Sequence, residues 1–337
     1  MDEKTRVKLD SEDYKALEAE FFDKDLIIEP EYTNYRIDKS GQRFYVRIYD
    51  DKKYIKAPSY SEIMNRVLGV DYYLADWMAT VGKDQATFER INSANYGTFF
   101  HIQCADILRG KAVNLDEQYF FEEMQVFCEE NNHDFEELLK WYKQKGRKIL
   151  DDVIGFICWI KEYNVRPIAM EYPLMHPEGL WAGTTDLVCK LAYDKNEIIA
   201  MVDIKSTLQG FFESNEIQLH AYKTLWDMEH PEIQIERVFN YCCNSFRRST
   251  LAKYLSGGKS GRFKPFQFKD QTGSENTYKW QHYVELYHGQ PKNLEFAKRY
   301  EYDAFEKIDL DTDLSKLIIE YDLFNKLENK LSEEVNE

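Results

Sequence analysis

Three short runs in the middle of the chain carry apolar residues in strand-like patterns: IAMEYPLM (168–175), GTTDLVCKLAY (183–193) and EIIAMVDIKS (197–206). The segments between them, HPEGLWA and DKN, are turn-like, so the pattern predicts three consecutive strands. From Ser59 to about Arg166 the apolar positions recur instead at helical spacing, in VDYYLADWMATVG and in DFEELLKWYKQKGRKILDDVIGFICWIKEY. Ser59 followed three residues later by Glu62 is a helix-starting pair. After the strands, FESNEIQLHAYKTLWDME reads as a helix and IQIERVFNYCCNSF as a further strand. Helix, three strands, helix, strand is the order of an α/β core with a mixed sheet. Upstream, Ser40-Gly41 and Asp50-Asp51 punctuate aromatic and β-branched runs, which predicts a β-hairpin or meander over 1–57. LSKLIIEYDLFNKLENKL predicts a helical, acidic tail over 301–337.

Charge interrupts this pattern at one place that demands an explanation. Asp203 follows five apolar residues, Ile198 to Val202, and Lys205 comes two residues later. An isolated charge in apolar surroundings is costly enough that something must compensate it. Strand side chains alternate faces, so Asp203 and Lys205 point the same way and Ile204 points opposite. A turn over Asp194 to Glu197 that pairs its ends sets Asp186 across from Lys205, on the same face. Two carboxylates this close repel, and a hard divalent cation with oxygen ligands, Mg²⁺ or Mn²⁺, relieves them. With an ammonium beside it, such a centre suits phosphodiester hydrolysis. Asp-x-Lys also starts at Asp2, Asp13, Asp50 and Asp51, where solvated charge accounts for it. Only at Asp203 does it end an apolar strand that follows a second acid-bearing one.

Composition narrows the setting. Aromatic content of 15% in 337 residues is ample for a sizeable core, which excludes a disordered chain. No apolar stretch reaches the ~20 residues that cross a bilayer, and MDEKTRVKLDSEDYK lacks a secretory apolar segment, so a cytoplasmic site and no membrane partner are expected. Six cysteines without CxxC spacing point to neither a zinc site nor a disulfide framework. A net charge of −16 argues against general attraction to nucleic acid. The segment 247–269 is the exception, with Arg247, Arg248, Lys253, Lys259, Arg262, Lys264 and Lys269 and no acid. Tyr254, Phe263, Phe266 and Phe268 are interleaved there, a mixture that suits single-stranded DNA, in which cations meet phosphates and rings stack on bases.

These residues resemble the PD-(D/E)XK nuclease superfamily, and within it the RecB-type exonuclease branch, which includes mitochondrial and phage exonucleases. The match consists of Gly183-Thr184-Thr185-Asp186, Asp203-Ile204-Lys205, Gln218-Leu219-His220-Ala221-Tyr222, and GTFFH from Gly97 to His101 upstream. It spans roughly residues 57–245. The resemblance implies a restriction-endonuclease-like αβββαβ core at 134–245, within a nuclease domain over 58–300 whose helical part is 58–166. It implies that Asp186, Asp203, His101 and the Ile204 carbonyl bind Mg²⁺ or Mn²⁺. Lys205 would be the catalytic lysine, Gln218 and Tyr222 would position it or the DNA, and Glu171 matches an acidic position near such sites. The implied activity is that of a deoxyribonuclease, an exonuclease in recombination, replication or repair. Its implied partners are DNA, single-stranded or with free ends, and a separate helicase, recombinase or single-strand-binding protein. An iron–sulfur cluster, present in some members, is not expected, because its C-terminal cysteine cluster is missing: the last cysteine is Cys243. A noncatalytic nucleic-acid-binding subunit and an endonuclease with the same metal centre are the alternatives.

Overall fold

The computed structural model describes residues 27–289, except 40–41, 50–53, 70–71, 112–116, 147–148, 207–210 and 244–263. Its elements follow from the patterns above. Strands β1 (Asn34–Lys39), β2 (Gln42–Ile48) and β3 (Tyr54–Pro58) form an antiparallel meander. Six helices follow: α1 (Tyr60–Leu68), α2 (Tyr72–Val81), α3 (Lys83–Leu108), α4 (Glu117–Glu130), α5 (Phe135–Lys145) and α6 (Ile149–Tyr163). Ser59 caps α1, its Oγ accepting from the Glu62 N–H at 3.0 Å. Then come β4 (Arg166–Met175), β5 (Ala182–Tyr193), β6 (Asn196–Lys205), α7 (Glu213–Glu229), β7 (Arg237–Cys243), β8 (Phe266–Asp270) and α8 (Ser274–Gly289).

The second sheet is mixed, in the order β4-β5-β6-β7-β8, and only the β6–β7 pair, joined through α7, is parallel. Helices cover both of its faces. On one, Phe100, Phe156 and Trp159 pack over Leu187, Val202 and Phe239. On the other, Tyr60, Trp226 and Trp280 pack over Ala169, Val188 and Met201. Leu187 and Val188, neighbours in sequence, thus enter opposite layers, as a period of two requires. At about 1.5–3 kcal/mol for each large apolar side chain buried, these two layers supply the main force that fixes the sheet.

Two expectations change. The β5–β6 turn is tighter than expected: Tyr193 pairs with Asn196 across Asp194-Lys195, both at positive φ (47° and 69°), a type I′ hairpin. Part of the basic segment is a strand, β8, in which Phe268 stacks on Phe239 (centroids 4.5 Å apart, 12° between planes) and Phe266 is 2% exposed. Neither ring is available to a base, because alternate positions of an edge strand face the core. Trp159, Trp181 and Trp226 are buried, but Trp77 is on the surface of α2 beside Leu74 and Met78. The meander is tied to the larger sheet by the buried Arg47, which pairs with Glu229 Oε1 at 2.5 Å and donates to the Asn34 side chain and the Pro173 carbonyl. No helix among the described residues is long and apolar enough to cross a membrane.

Candidate active site

The β4–β5 ribbon outruns β6. β5 pairs with β4 as far as Ala182, whereas its ladder with β6 ends at Leu187↔Val202. Asp186 and Asp203 are the next residues on either side of that last pair, at the point where the strands part. Beyond it the Ile204 N–H is taken by a side chain, Asp186 Oδ2, at 2.7 Å. The sequence expectation set Asp186 across from Lys205; the tighter turn shifts the pairing by two residues and so leaves every side chain on its face. Asp186, Asp203 and Lys205 do converge, while the Ile204 side chain lies in the opposite core layer.

Lys205 Nζ lies 2.8 Å from Asp203 Oδ1 and donates to Gln218 Oε1 at 3.2 Å. The second oxygen of Asp203 accepts from Asn240 Nδ2 at 2.7 Å. Burial raises the pKa of both Asp203 and Asp186, against the pull of Lys205 and His101. Burial would lower Lys205, but Asp203 and Asp186 outweigh it and keep the ammonium charged. Two carboxylates, one buried and one half-buried, that share one ammonium leave an excess of negative charge.

His101, near the end of α3, faces that excess. Its Nδ1 is 3.7 Å from Asp186 Oδ1 and 3.8 Å from Glu171 Oε1. Ligand atoms from His101, Glu171 and Asp186 all lie within 4.8 Å of one another. Ligands around an octahedral Mg²⁺, with bonds near 2.1 Å, are roughly 3 Å apart when adjacent and 4.2 Å when opposite. Separations of up to 4.8 Å are wider than that shell, so these three side chains would have to draw in by about half an ångström to share a small cation. Asp203, turned to Lys205 and Asn240, lies outside this three-residue group. Burial would lower the pKa of His101, but Asp186 and Glu171 overcome it and raise it to about 9.

Glu171 reaches the cluster through an unusual backbone, with φ at 48°. A left-handed conformation costs an L-residue roughly 1–2 kcal/mol. The turn it makes sends Met170 and Tyr172, two residues apart, into opposite core layers. Strain of this kind at a polar cluster points to a use for the side chain it places. Glu171→Gly is expected to raise the melting free energy by about 0.5–1 kcal/mol, since the relief of strain exceeds the added chain entropy. The same variant should bind Mn²⁺ at least ten times more weakly in calorimetric titration, a loss typical even of residues that only support a metal's ligands. A destabilised variant with unchanged Mn²⁺ affinity would show that Glu171 serves the fold alone.

Two glycines of the motifs have structural duties here. A Cβ on Gly183 would fall 2.4 Å from the Tyr222 ring, so the ring occupies the space the glycine leaves. Tyr222 thereby packs α7 against β5, and it is Gln218, one turn earlier, that touches Lys205. A Cβ on Gly97 would lie 3.1 Å from Ser206 Oγ, so this glycine brings α3, and with it His101, close to the end of β6.

Of the basic residues, Lys264 pairs with Glu162 and lies over the Tyr163 and Phe266 rings, and Lys269 pairs with Glu216 at 2.9 Å. Acids from other elements thus meet cations of a segment, 247–269, that holds no acid of its own. Arg247, Arg248, Lys253, Lys259 and Arg262, with Tyr254 and Phe263, lie outside the described residues. Asn240 and Gln271 were not anticipated from sequence; a lone amide inside the apolar run VFNYCC was the available signal for the first. Neither a family model nor any curated protein matches the chain.

Proposed function

We propose that this protein is a Mg²⁺- or Mn²⁺-dependent deoxyribonuclease with a restriction-endonuclease-like core, acting on DNA ends as a RecB-type exonuclease. The observation that carries the reading is the placement of two carboxylates, the half-buried Asp186 and the buried Asp203, where two strands part, with Lys205 on the same face and His101 and Glu171 alongside. The order α6, β4, β5, β6, α7, β7, with β7 parallel to β6, supports the fold assignment.

His101, Glu171 and Asp186 would hold the cation, and the resemblance adds Asp203 and the Ile204 carbonyl. Bound there, a hard divalent ion supplies Lewis-acid polarisation of a phosphate oxygen and a more acidic water. The chain's own contribution centres on Lys205. Its ammonium stays charged beside Asp203 and Asp186, which makes it a donor to a water or to phosphate oxygens and a poor proton acceptor. Gln218 and Asp203 fix its Nζ between them.

The test is digestion of end-labelled linear and closed circular DNA, single- and double-stranded, with Mg²⁺, Mn²⁺ or EDTA. Metal-dependent loss of the linear substrates alone is the expected result. Cleavage of circles would replace the exonuclease by an endonuclease. Binding without cleavage under every condition would reject the enzyme in favour of a noncatalytic subunit.

A further inference from the structure

Behind Asp203 runs a chain of hydrogen bonds whose members, apart from His220, lie outside the four motifs. Asn240 Nδ2 donates to Asp203 Oδ2 at 2.7 Å, and Gln271 Nε2 donates to Asn240 Oδ1 at 3.1 Å. The backbone carbonyl of Gln271 is 2.8 Å from His220 Nε2, and His220 Nδ1 is 2.9 Å from Thr277 Oγ1. Asn240 is 0%, His220 4% and Gln271 6% exposed. Four separate elements contribute: β7, α7, the β8–α8 connection and α8.

The chemistry of these groups fixes every direction in the chain. A carbonyl only accepts, so His220 Nε2 carries the proton. Burial lowers the pKa of His220, so the ring is neutral and its Nδ1 accepts from the Thr277 hydroxyl. Asn240 cannot turn its amide over, because its oxygen would then face the Asp203 carboxylate and its nitrogen the Gln271 amide. Gln271 and Asn240 therefore both donate toward Asp203, while Thr277 and His220 hold the Gln271 main chain from behind. The two successive amide bonds polarise one another in surroundings of low dielectric.

We propose that Asn240 is a positioning residue for Asp203, backed by Gln271, His220 and Thr277, so that β8 and α8 complete the active site. The proposal rests on the reading of Asp203 as part of the nuclease centre. A carboxylate turns easily about its last torsion. With Oδ2 held by Asn240, Oδ1 is left for Lys205, and the ammonium keeps its place beside Gln218. Asn240 itself touches no reacting atom; it acts through the carboxylate.

Two measurements test this. The first is steady-state DNA cleavage by Asn240→Leu, of similar volume but with no donor, and by Gln271→Met, one link further back. For Asn240→Leu, kcat is expected to fall about 10- to 100-fold, as for other groups that orient an active-site ligand, with KM for DNA within about twofold. Gln271→Met should give a smaller loss with the same split. The second is thermal melting of the metal-free chain, comparing Asn240→Asp with the exchange Asp203→Asn/Asn240→Asp. The single change sets two carboxylates face to face. The exchange restores an amide donating to a carboxylate and leaves Gln271 its acceptor, so it should melt higher than the single variant by several degrees. Wild-type kcat in folded Asn240→Leu, or an exchange variant no more stable than the single one, would overturn the proposal while the nuclease reading stands. Failure of the wild-type chain to cleave any DNA would remove that reading, and this role with it.

Discussion

Asp186→Asn is expected to abolish metal-dependent DNA cleavage and, in the absence of metal, to flatten the loss of stability with rising pH. Asp186 is the one carboxylate that both faces His101 and accepts the Ile204 N–H. An amide can keep the second role, since its oxygen accepts as a carboxylate's does. It cannot supply the charge that a hard cation requires. Lewis-acid catalysis is worth several kcal/mol, so cleavage should fall by at least about 10³-fold. The pH effect follows from His101. Its pKa of about 9, above the ordinary 6.5, means that its charged form favours the folded state. That contribution is fully present below 6.5 and is lost as pH rises through about 9, a difference of order 3 kcal/mol. Asp186, raised by burial, acts in the same direction: its ionisation as pH rises also costs stability. Denaturant melts in EDTA between pH 6 and 9.5 should show the wild type weakening and Asp186→Asn changing much less. Equal pH slopes in the two proteins would mean that Asp186 is not what holds the proton on His101.

Lys205→Met should lower the rate of the chemical step by about 10²–10³-fold while leaving Mn²⁺ binding in place. The factor is that of removing one well-placed donor from developing charge. Methionine preserves the apolar stem and deletes only the ammonium that Asp203 and Gln218 hold. Asp203 is then a buried carboxylate without its counter-charge, a situation that costs up to about 3–5 kcal/mol. Its pKa, already raised by burial, rises further, so the protein takes up a proton there and limits the loss. Lys205→Arg should rescue little, because a planar guanidinium does not fit the place of a compact ammonium between two fixed acceptors. Single-turnover cleavage separates this effect from DNA binding, and Mn²⁺ calorimetry separates it from the metal. Loss of Mn²⁺ binding in Lys205→Met would mean that the lysine organises the cluster and is not a donor to the reaction.

Much of this site was legible in the sequence because strand periodicity is strict. Asp203 and Lys205 had to share a face, and a two-residue error in the turn left the face of Asp186 intact. The order of helix and strands was readable for the same reason, since apolar periods of two and of about three and a half are easily told apart. Glu171 was only partly legible: its strand position was visible, but a left-handed φ in a non-glycine residue leaves no mark in composition. Asn240 and Gln271 act at a distance along the chain, and their pairing depends on β7 and β8 being neighbours, which no local pattern announces. The basic segment misled in part because charge was counted along the chain. Glu162 and Glu216, which pair with Lys264 and Lys269, come from α6 and α7.

The Asp194-Lys195 turn offers a handle for engineering. Asp186 and Tyr193 are seven steps apart along β5, which at ~3.3 Å per residue sets the turn about 23 Å from the carboxylates. Two-residue hairpin ends on a paired ribbon tolerate insertions when the register below them is held by other contacts, and here β4 and β7 hold it on either side. A dye or a surface tether introduced at this tip would label or immobilise the molecule well away from Asp186, Asp203 and Lys205.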